Sequence, residues 1–382
     1  MTRPTTYTYR PGITQDMVDA IAWVQAQTSG IETYAALSAG ETVKVTPLTS
    51  ARTLVLTSSG PAFVCSIAAG AVGDRKTIVN GGVYPITLGH REGAAYGGAA
   101  DIDCLDCPDL IPYVLRPGED VEVNYGPENA LVLNRWNVEG DNTFAPGGFL
   151  CPKTIAEFLE RTAFTLTYLW PCDDGGLGSA QPLREAGNAN LAAVGAPLID
   201  QRMGGFRGHR VNGNTAGWAS DILAPGTNSI LRGLFLGAGS IAGATQYIFG
   251  RYGADVGNIA GIKSTGNFFG FVTDSNLGYD VEVVGKDMQD SVVRLCHLQI
   301  DKAATVNRAR VSGRGEAAVA ATPVSNVGMG TLTGGASPKD FIGGAGIGGT
   351  ANVVVCGAYM IIGAAAAGAL NQAKIAHRLG ME

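Results

Sequence analysis

The chain has 382 residues, of which 46% are apolar, so it is long enough for two domains with substantial cores. A net charge of −6 and the lack of Lys/Arg clusters exclude a phosphate-backbone binder, and nucleic acid is not an expected partner. The 55 glycines follow no collagen-like period and are typical of many short strands joined by tight turns.

The first predicted element is a short amphipathic helix. Thr14 is a good N-cap residue, and Met17, Ile21 and Val24 follow it at helical spacing. A helix of this length is not stable alone, so its apolar stripe must pack on the following domain or on a neighbouring subunit. We therefore assign residues 1–37 to an N-terminal arm and helix that anchors the protein.

Residues 38–137 are predicted to form a small β-sandwich domain, because short apolar runs alternate with Gly and Pro turns. No internal repeat is visible in the sequence. The predicted strands are Thr42–Thr46, Arg52–Thr57, Ala62–Ile67, Lys76–Asn80, Val83–Leu88, Asp120–Tyr125 and Ala130–Trp136.

The densest acidic cluster lies within this domain and consists of Asp101, Asp103, Asp106 and Asp109. Carboxylates at this spacing could hold calcium, but the order of an EF-hand and its closing Glu are missing. A solvated loop is therefore the favoured interpretation, and we predict no metal and no cofactor.

Two cysteines interrupt the acidic cluster. Cys104 and Cys107 have CxxC spacing, but no second pair follows at the distance of a zinc site, and no helix pattern follows as in thioredoxins. A loop disulfide and two unmodified thiols are both compatible with this pattern, and both are favoured over a zinc or redox site.

Residues 138–162 are predicted to be a linker with a short helix over Lys153–Thr162. Residues 163–382 then carry motifs in a fixed order. Phe164–Asp173 (FTLTYLWPCD) opens the series, and the later motifs are Arg184–Asn188 (REAGN), Val292–Asp301 (VVRLCHLQID), Arg308–Gly313, Val353–Ile362 (VVVCGAYMII) and a short helix from Leu370 to Gly380.

This order resembles laminin-G-like, concanavalin-A-like jelly-roll domains. The resemblance implies a two-sheet sandwich that displays a binding surface, and a structural role for His297. Arg184 stands where the turn of the family has Asp, so calcium binding is not implied. The fold class is therefore mainly β, with an N-terminal helix, a small β-sandwich and a C-terminal jelly roll.

The motifs of known enzymes are absent. Concanavalin-type glucanases carry E-x-D-x-E along one strand, and neither Glu119–Glu122 nor Asp280–Glu282 has that spacing. None of the four histidines lies in an HExxH or nucleophile-elbow context. Trp218 and Tyr252 could stack on a sugar ring, but aromatic residues of a sandwich are more often core residues. We therefore predict a non-enzymatic protein and name no glycan-binding residue.

The stretch from Phe341 to Ala373 contains no charged residue. Its length would allow a membrane span, but it lacks basic flanks and an aromatic belt, so a buried strand and a small-residue loop are favoured. The stretch also offers more apolar surface than one strand needs, which suggests that sister subunits cover part of it.

The polar segment Met1–Arg10 has no apolar core and is not expected to be a signal peptide.

Two stretches of the small domain, Gly73–Gly82 (GDRKTIVNGG) and Leu115–Tyr125 (LRPGEDVEVNY), are similar in style to β domains of bacteriophage fibre and decoration proteins. An adhesive architecture without an export signal fits a virion component, which assembles in the host cytoplasm and acts outside the cell. The expected partners are sister subunits in a homotrimer, other virion proteins and host-surface glycans.

The predicted function is that of a fibre or spike protein, anchored by its N-terminal region, whose jelly roll adheres to glycans. One alternative is a capsid or tail decoration protein that stabilises the particle. A further alternative is a bacterial lectin-like carbohydrate-binding protein.

Overall fold

The computed structural model describes most of the chain, and the chain forms two compact units. Unit 1 comprises residues 1–94, 98–108 and 113–139, and unit 2 comprises residues 95–97, 109–112 and 140–382. The described residues are 30–42, 44–47, 51–68, 71–92, 105–107, 112–126, 131–134, 152–171, 183–184, 190–203, 206–220, 229–241, 243–253, 256–273, 278–282, 288–302, 304, 309–313, 319–320, 339–344, 349, 353–368 and 370–380.

Several predicted features lie outside the described residues. They are the N-terminal helix with Met17, Ile21 and Val24, the acidic residues Asp101, Asp103 and Asp109, and Cys104. The anchoring role of the helix therefore stays a prediction.

Unit 1 contains a six-stranded sheet, in the order β1-β3-β5-β9-β10-β7, and a four-stranded sheet, in the order β2-β4-β6-β8. Its strands are β1 Ile31–Thr33, β2 Gly40–Thr42, β3 Thr53–Leu56, β4 Ala62–Val64, β5 Arg75–Asn80, β6 Ile86–Leu88, β7 Leu105–Asp106, β8 Tyr113–Leu115, β9 Asp120–Tyr125 and β10 Leu131–Asn134. The alternating apolar residues of both sheets meet in one core, as expected for a small domain of two sheets.

The first six strands of unit 1 form three turns of a parallel solenoid. Ile31 pairs with Thr53, and Thr53 pairs with Thr77, so the paired strands are 22 and 24 residues apart in the chain. The pairs Gly40–Ala62 and Ala62–Ile86 show the same offsets in the other sheet. This structural repeat is not visible in the sequence, because the turns share a pairing geometry and not their residues.

The third turn is closed by a change of strand direction. β9 pairs with β5 and β8 pairs with β6, and both pairings are antiparallel. Inside this turn Asn80 is buried, and its side-chain amide donates to the carbonyls of Tyr84 and Leu115, at 2.8 Å each. These hydrogen bonds satisfy a polar group that would otherwise be costly in an apolar interior.

Unit 2 is an antiparallel sandwich of two eight-stranded sheets with two flanking helices. The back sheet has the order β14-β15-β26-β17-β22-β23-β24, with β11 also paired to β26, and the front sheet has the order β12-β13-β16-β25-β18-β19-β20-β21. The elements are α1 Ile155–Thr162, β11 Tyr168–Trp170, β12 Leu183–Arg184, β13 Asn190–Val194, β14 Leu198–Met203, β15 Phe206–Val211, β16 Gly217–Ser220, β17 Ile230–Ala238, β18 Gln246–Gly253, β19 Val256–Ile262, β20 Phe268–Thr273, β21 Gly278–Glu282, β22 Arg294–Ile300, β23 Ala309–Gly313, β24 Val319–Ala320, β25 Lys339–Gly343, β26 Val353–Ile362 and α2 Asn371–Arg378.

The prediction of a mainly β chain with a C-terminal jelly-roll sandwich is confirmed. The main core lies between the sheets and contains large side chains from both of them, among them Trp218, Phe249 and Met360. A second apolar cluster lies on the outer face of the back sheet, where residues of both helices contact it.

The helix that we assigned to a linker belongs instead to the sandwich. Thr154 caps α1 by accepting from the backbone N–H of Glu157 at 3.0 Å. The Phe158 ring is buried 4.8 Å from that of Tyr359, and Nη1 of Arg378 donates to the carbonyl of Thr162 at 2.6 Å. α1 and α2 therefore pack together on the back sheet.

Within the described part of the uncharged stretch after Phe341, β26 is buried inside the chain, whereas Leu370 is 44% exposed. β26 is a central strand with neighbours on both sides. Its residues alternate between the main core, as Val355 and Met360 do, and the cluster beneath the helices, as Val354 and Ile361 do. The buried β26 gives no support to the homotrimer, which stays a prediction.

No described helix has the length and apolarity needed to cross a membrane.

Candidate functional site

Asp106 is the one member of the acidic cluster within the described residues. Its Oδ2 accepts from Nη2 of Arg91 at 2.5 Å, and its Oδ1 lies 3.5 Å from Nδ1 of His90. That nitrogen also accepts from the backbone N–H of Cys107 at 3.1 Å. The described part of the chain contains no group of three or more His, Cys, Asp or Glu that could hold a metal. Asp106 thus serves an ion pair at the end of β7.

Trp218 is a core residue and does not form a sugar-stacking surface. It is fully buried between the sheets, where its ring meets that of His209 edge to face at 4.9 Å. The side chain of Tyr252 lies outside the described residues.

His297 is held by two hydroxyl groups beneath the helices. Its Nε2 lies 2.6 Å from the Tyr359 hydroxyl, and its Nδ1 lies 3.2 Å from the Ser312 hydroxyl. Desolvation lowers the pKa of His297 to about 3, so the ring is neutral at physiological pH. A neutral imidazole has one donor and one acceptor, and the two hydroxyls satisfy both. This arrangement agrees with the structural role that the family resemblance implies.

The outer face of the front sheet is the best candidate for a binding surface. Side chains of a strand alternate between faces, and Ile342 and Ala260 point into the main core. Their neighbours Phe341 and Ile259 therefore point outward, where they form a separate apolar cluster with Ala219. The half-buried side chains of Val194, Tyr247 and Phe271 pack against that cluster.

Strand register aligns these residues in rows. One row crosses four neighbouring strands through Phe341, Gly250, Ile259 and Phe271. A Cβ on Gly250 would lie 2.2 Å from the carbonyl oxygen of Asn258, so only glycine fits there. The row therefore has no side chain between Phe341 and Ile259, which are both buried, and Phe271 is its half-buried member.

A second row contains Tyr247, Gly261 and Phe269. The Tyr247 and Phe269 rings meet edge to face, with centroids 5.6 Å apart. The ammonium of Lys263 lies 5.6 Å from the Phe269 centroid, within the range of a cation–π contact. Phe269, Phe341 and Ile259 are buried, so the accessible part of the face consists of the half-buried Tyr247 and Phe271 with Lys263 beside them. Aromatic surface next to a cationic hydrogen-bond donor is a feature of sites that bind polar ligands with apolar faces.

The sequence patterns predicted none of these residues as binding-site residues. The available signal was β20, where Phe268, Phe269 and Phe271 place aromatic side chains on both faces of one strand. Only the register shows that the outward rings join Tyr247, which lies on another strand.

No family model matches the chain, and no curated protein matches it. Solved structures show limited similarity. The binding domain of botulinum neurotoxin DC in complex with SialylT has 9% identity and a TM-score of 0.38, over 55% of this chain and 50% of that one. A Trypanosoma rangeli sialidase in complex with sialic acid has 10% identity and a TM-score of 0.34, over 56% of this chain and 32% of that one.

A third solved structure is the CBM40 of a Ruminococcus gnavus IT-sialidase bound to alpha2,6 sialyllactose. It has 13% identity and a TM-score of 0.25, over 35% of this chain and 75% of that one. This chain spans about half the length of the neurotoxin binding domains. At these values the similarity carries no argument about this chain, and no site residue is transferred.

Proposed function

We propose that this protein is a non-enzymatic component of a bacteriophage particle that adheres to host-surface glycans through the outer face of its front sheet. The observation that carries the adhesion part is the pair of half-buried aromatic side chains, Tyr247 and Phe271, on the outer face of the front sheet. The back sheet is covered by α1 and α2. On the front sheet, Phe341, Ile259 and Ala219 are buried, and Tyr247 and Phe271 beside them remain half-buried.

A pyranose ring has an apolar face of C–H groups and a rim of hydroxyls. The half-buried rings of Tyr247 and Phe271 suit the apolar face, and the ammonium of Lys263 suits a hydroxyl or carboxylate of the sugar. The described histidine and cysteine side chains of the sandwich that have shifted pKa values are buried and lie away from this face. Binding without chemistry is therefore the function that this surface supports best.

The assignment to a virion rests on the similarity in style of Gly73–Gly82 and Leu115–Tyr125 to phage β domains. In this proposal the helix with Met17, Ile21 and Val24 anchors a homotrimer to the particle. Changing Ile21 and Val24 to Asp should weaken incorporation into particles and leave the sandwich folded. Normal incorporation of this double variant would contradict the anchoring role, and a monomeric wild-type protein would contradict the trimer.

The adhesion proposal is tested with glycan binding. The sialylated ligands named for the solved structures, together with purified host polysaccharide, are the first probes. We expect Tyr247→Ala and Phe271→Ala to weaken binding about tenfold each, the scale of one lost aromatic contact. Tyr84→Ala, which removes an exposed ring from unit 1, is the matched control and should bind as the wild type does.

Two results would overturn this proposal. The first is wild-type affinity in both front-sheet variants with unchanged circular dichroism. The second is release of reducing ends from host polysaccharide that is abolished by changing a single Asp or Glu, which would make the protein an enzyme. Incorporation into particles without any glycan binding would favour the decoration alternative.

A further inference from the structure

The interior of the sandwich contains two positive charges that share one negative charge. Nη2 of Arg232 lies 3.2 Å from Oδ1 of Asp340, and Nη1 of Arg251 lies 3.2 Å from Oδ2 of the same carboxylate. The three side chains are 1%, 9% and 3% exposed in the order Arg232, Arg251 and Asp340. Both oxygens of the single carboxylate are therefore engaged by different cations.

Strand alternation explains how an arginine enters the core. In β17 the side chains of Ile230 and Leu234 point into the main core, and that of Leu231 points toward the helices. Arg232 shares the inward face, where its Nε donates to Oδ1 of Asn258 at 2.8 Å. Its guanidinium carbon lies 5.2 Å from the centroid of the Phe249 ring.

These contacts leave part of the cluster unsatisfied. Nη1 of Arg232 and Nε of Arg251 are buried, and neither has a hydrogen-bond partner among the described residues. Neither arginine pairs with a second described carboxylate. Burial lowers the pKa of Arg232, and the opposing effect of Asp340 offsets that only in part. A water molecule would satisfy a donor but would leave the surplus charge in place.

We propose that a small monovalent anion of the chloride class binds in the core of the sandwich, next to Nη1 of Arg232 or Nε of Arg251, the two buried donors of the cluster without a described partner. One negative charge brings the cluster of Arg232, Arg251 and Asp340 to neutrality, and a divalent anion would reverse its sign. The surrounding side chains, such as Phe249, belong to the main core. Close packing there favours a monatomic ion over an organic acid.

The first test is the dependence of stability on chloride. Thermal and urea unfolding of the full chain are measured in chloride and in gluconate at matched ionic strength. An anion that binds only the folded state raises the ratio of folded to unfolded protein about tenfold for each tenfold rise in its concentration above the Kd. We expect this rise in chloride and not in gluconate. Equal unfolding in the two salts would overturn the proposal.

A variant and a control assign the effect to this cluster. Arg251→Gln leaves one arginine for one carboxylate, so we expect it to lose the difference between chloride and gluconate. Arg294→Gln removes a guanidinium that pairs with Asp290 elsewhere in the sandwich, and it should keep the difference. A chloride effect that persists in Arg251→Gln would overturn the assignment.

Bromide gives a direct readout that does not depend on a variant folding. Crystals of the wild-type protein soaked in bromide should show an anomalous peak within hydrogen-bond distance of Nη1 of Arg232 or Nε of Arg251. Absence of a peak there would contradict the site. A peak without a chloride-specific gain in stability identifies an adventitious ion only, and would also overturn the proposal.

Discussion

The phenol of Tyr359 crosses the back sheet over Gly233 and places its hydroxyl 2.6 Å from Nε2 of His297. Register makes this possible, because Gly233 is paired with Tyr359 on one side and with His297 on the other. His297 is in turn paired with Ser312, whose hydroxyl meets the other ring nitrogen. A hydrogen-bonded row thus spans four strands. It requires glycine at position 233, because any larger side chain there would collide with the Tyr359 ring.

Gly233→Ala should destabilise the protein. The new Cβ would lie 2.1 Å from Cζ of Tyr359, so the ring must move and lose its hydrogen bond to His297. Overpacking of a core typically costs about 1–3 kcal/mol, and we expect a loss of this size in the free energy of unfolding from urea titration. Gly313→Ala is the control, since its Cβ would meet only the Cys296 sulfur at 3.6 Å. Equal losses in the two variants would contradict this account.

Stability should fall in mild acid because of His297. Its pKa is about 3 in the folded protein and near 6.5 in the unfolded chain, so between these values only the unfolded state binds the proton. The free energy of unfolding is therefore unaffected by His297 above pH 6.5. As the pH falls from 6.5 toward 3, protonation of His297 in the unfolded chain lowers the free energy of unfolding by roughly 1.4 kcal/mol per pH unit. Urea titrations at several pH values should show a steeper fall for the wild type than for His297→Gln. If the free energy of unfolding falls equally with pH in the wild type and in His297→Gln, His297 is not the cause of the acid sensitivity.

Two thiols of the back sheet should resist alkylation in the native state. Burial raises the pKa of Cys296 and of Cys356 to about 12 each, so their thiolate fraction at pH 8 is on the order of one in ten thousand. We expect mass spectrometry to find both peptides unlabelled by iodoacetamide in buffer and fully labelled in urea. Equal labelling rates under the two conditions would show that the strands open easily.

The role of α1 in the sandwich predicts where a stable fragment must begin. A fragment from Cys151 keeps Phe158, which is buried against Tyr359, and should unfold cooperatively. A fragment from Ala163 lacks this ring and should lose about 3–5 kcal/mol, the usual cost of deleting a buried Phe. Thermal unfolding followed by circular dichroism compares the two. An insoluble longer fragment would show that the sandwich requires unit 1.

Local patterns were sufficient to predict several strands. The bounds of β26 and β9 are those predicted, and β3 lies within the predicted Arg52–Thr57, because apolar alternation is encoded within each segment. The predicted strand from Val83 begins only at Ile86. Val83 is 77% exposed in the turn after Gly82, which shows that a β-branched residue next to a glycine turn need not continue a strand.

Pairing and buried charge could not be predicted in the same way. The parallel partner of Thr53 depends on the length of a whole turn, which no local pattern records. Arg232 stands in the apolar run of β17, and a charged residue at an inward position was an available signal that we did not use. Its partner Asp340 is 108 residues away, so the identity of the counter-charge required the fold.

The three parallel turns of unit 1 have a consequence for how such a protein can change in length. Each turn pairs only with the turns beside it, and the antiparallel strands β8 and β9 close one end of the stack. A duplication of one turn would therefore add a strand to each sheet without altering the pairing of the others. The stack would grow by one strand spacing, about 4.8 Å. The length of unit 1 along the direction of stacking can therefore change in steps of one turn, by duplication or deletion of whole turns.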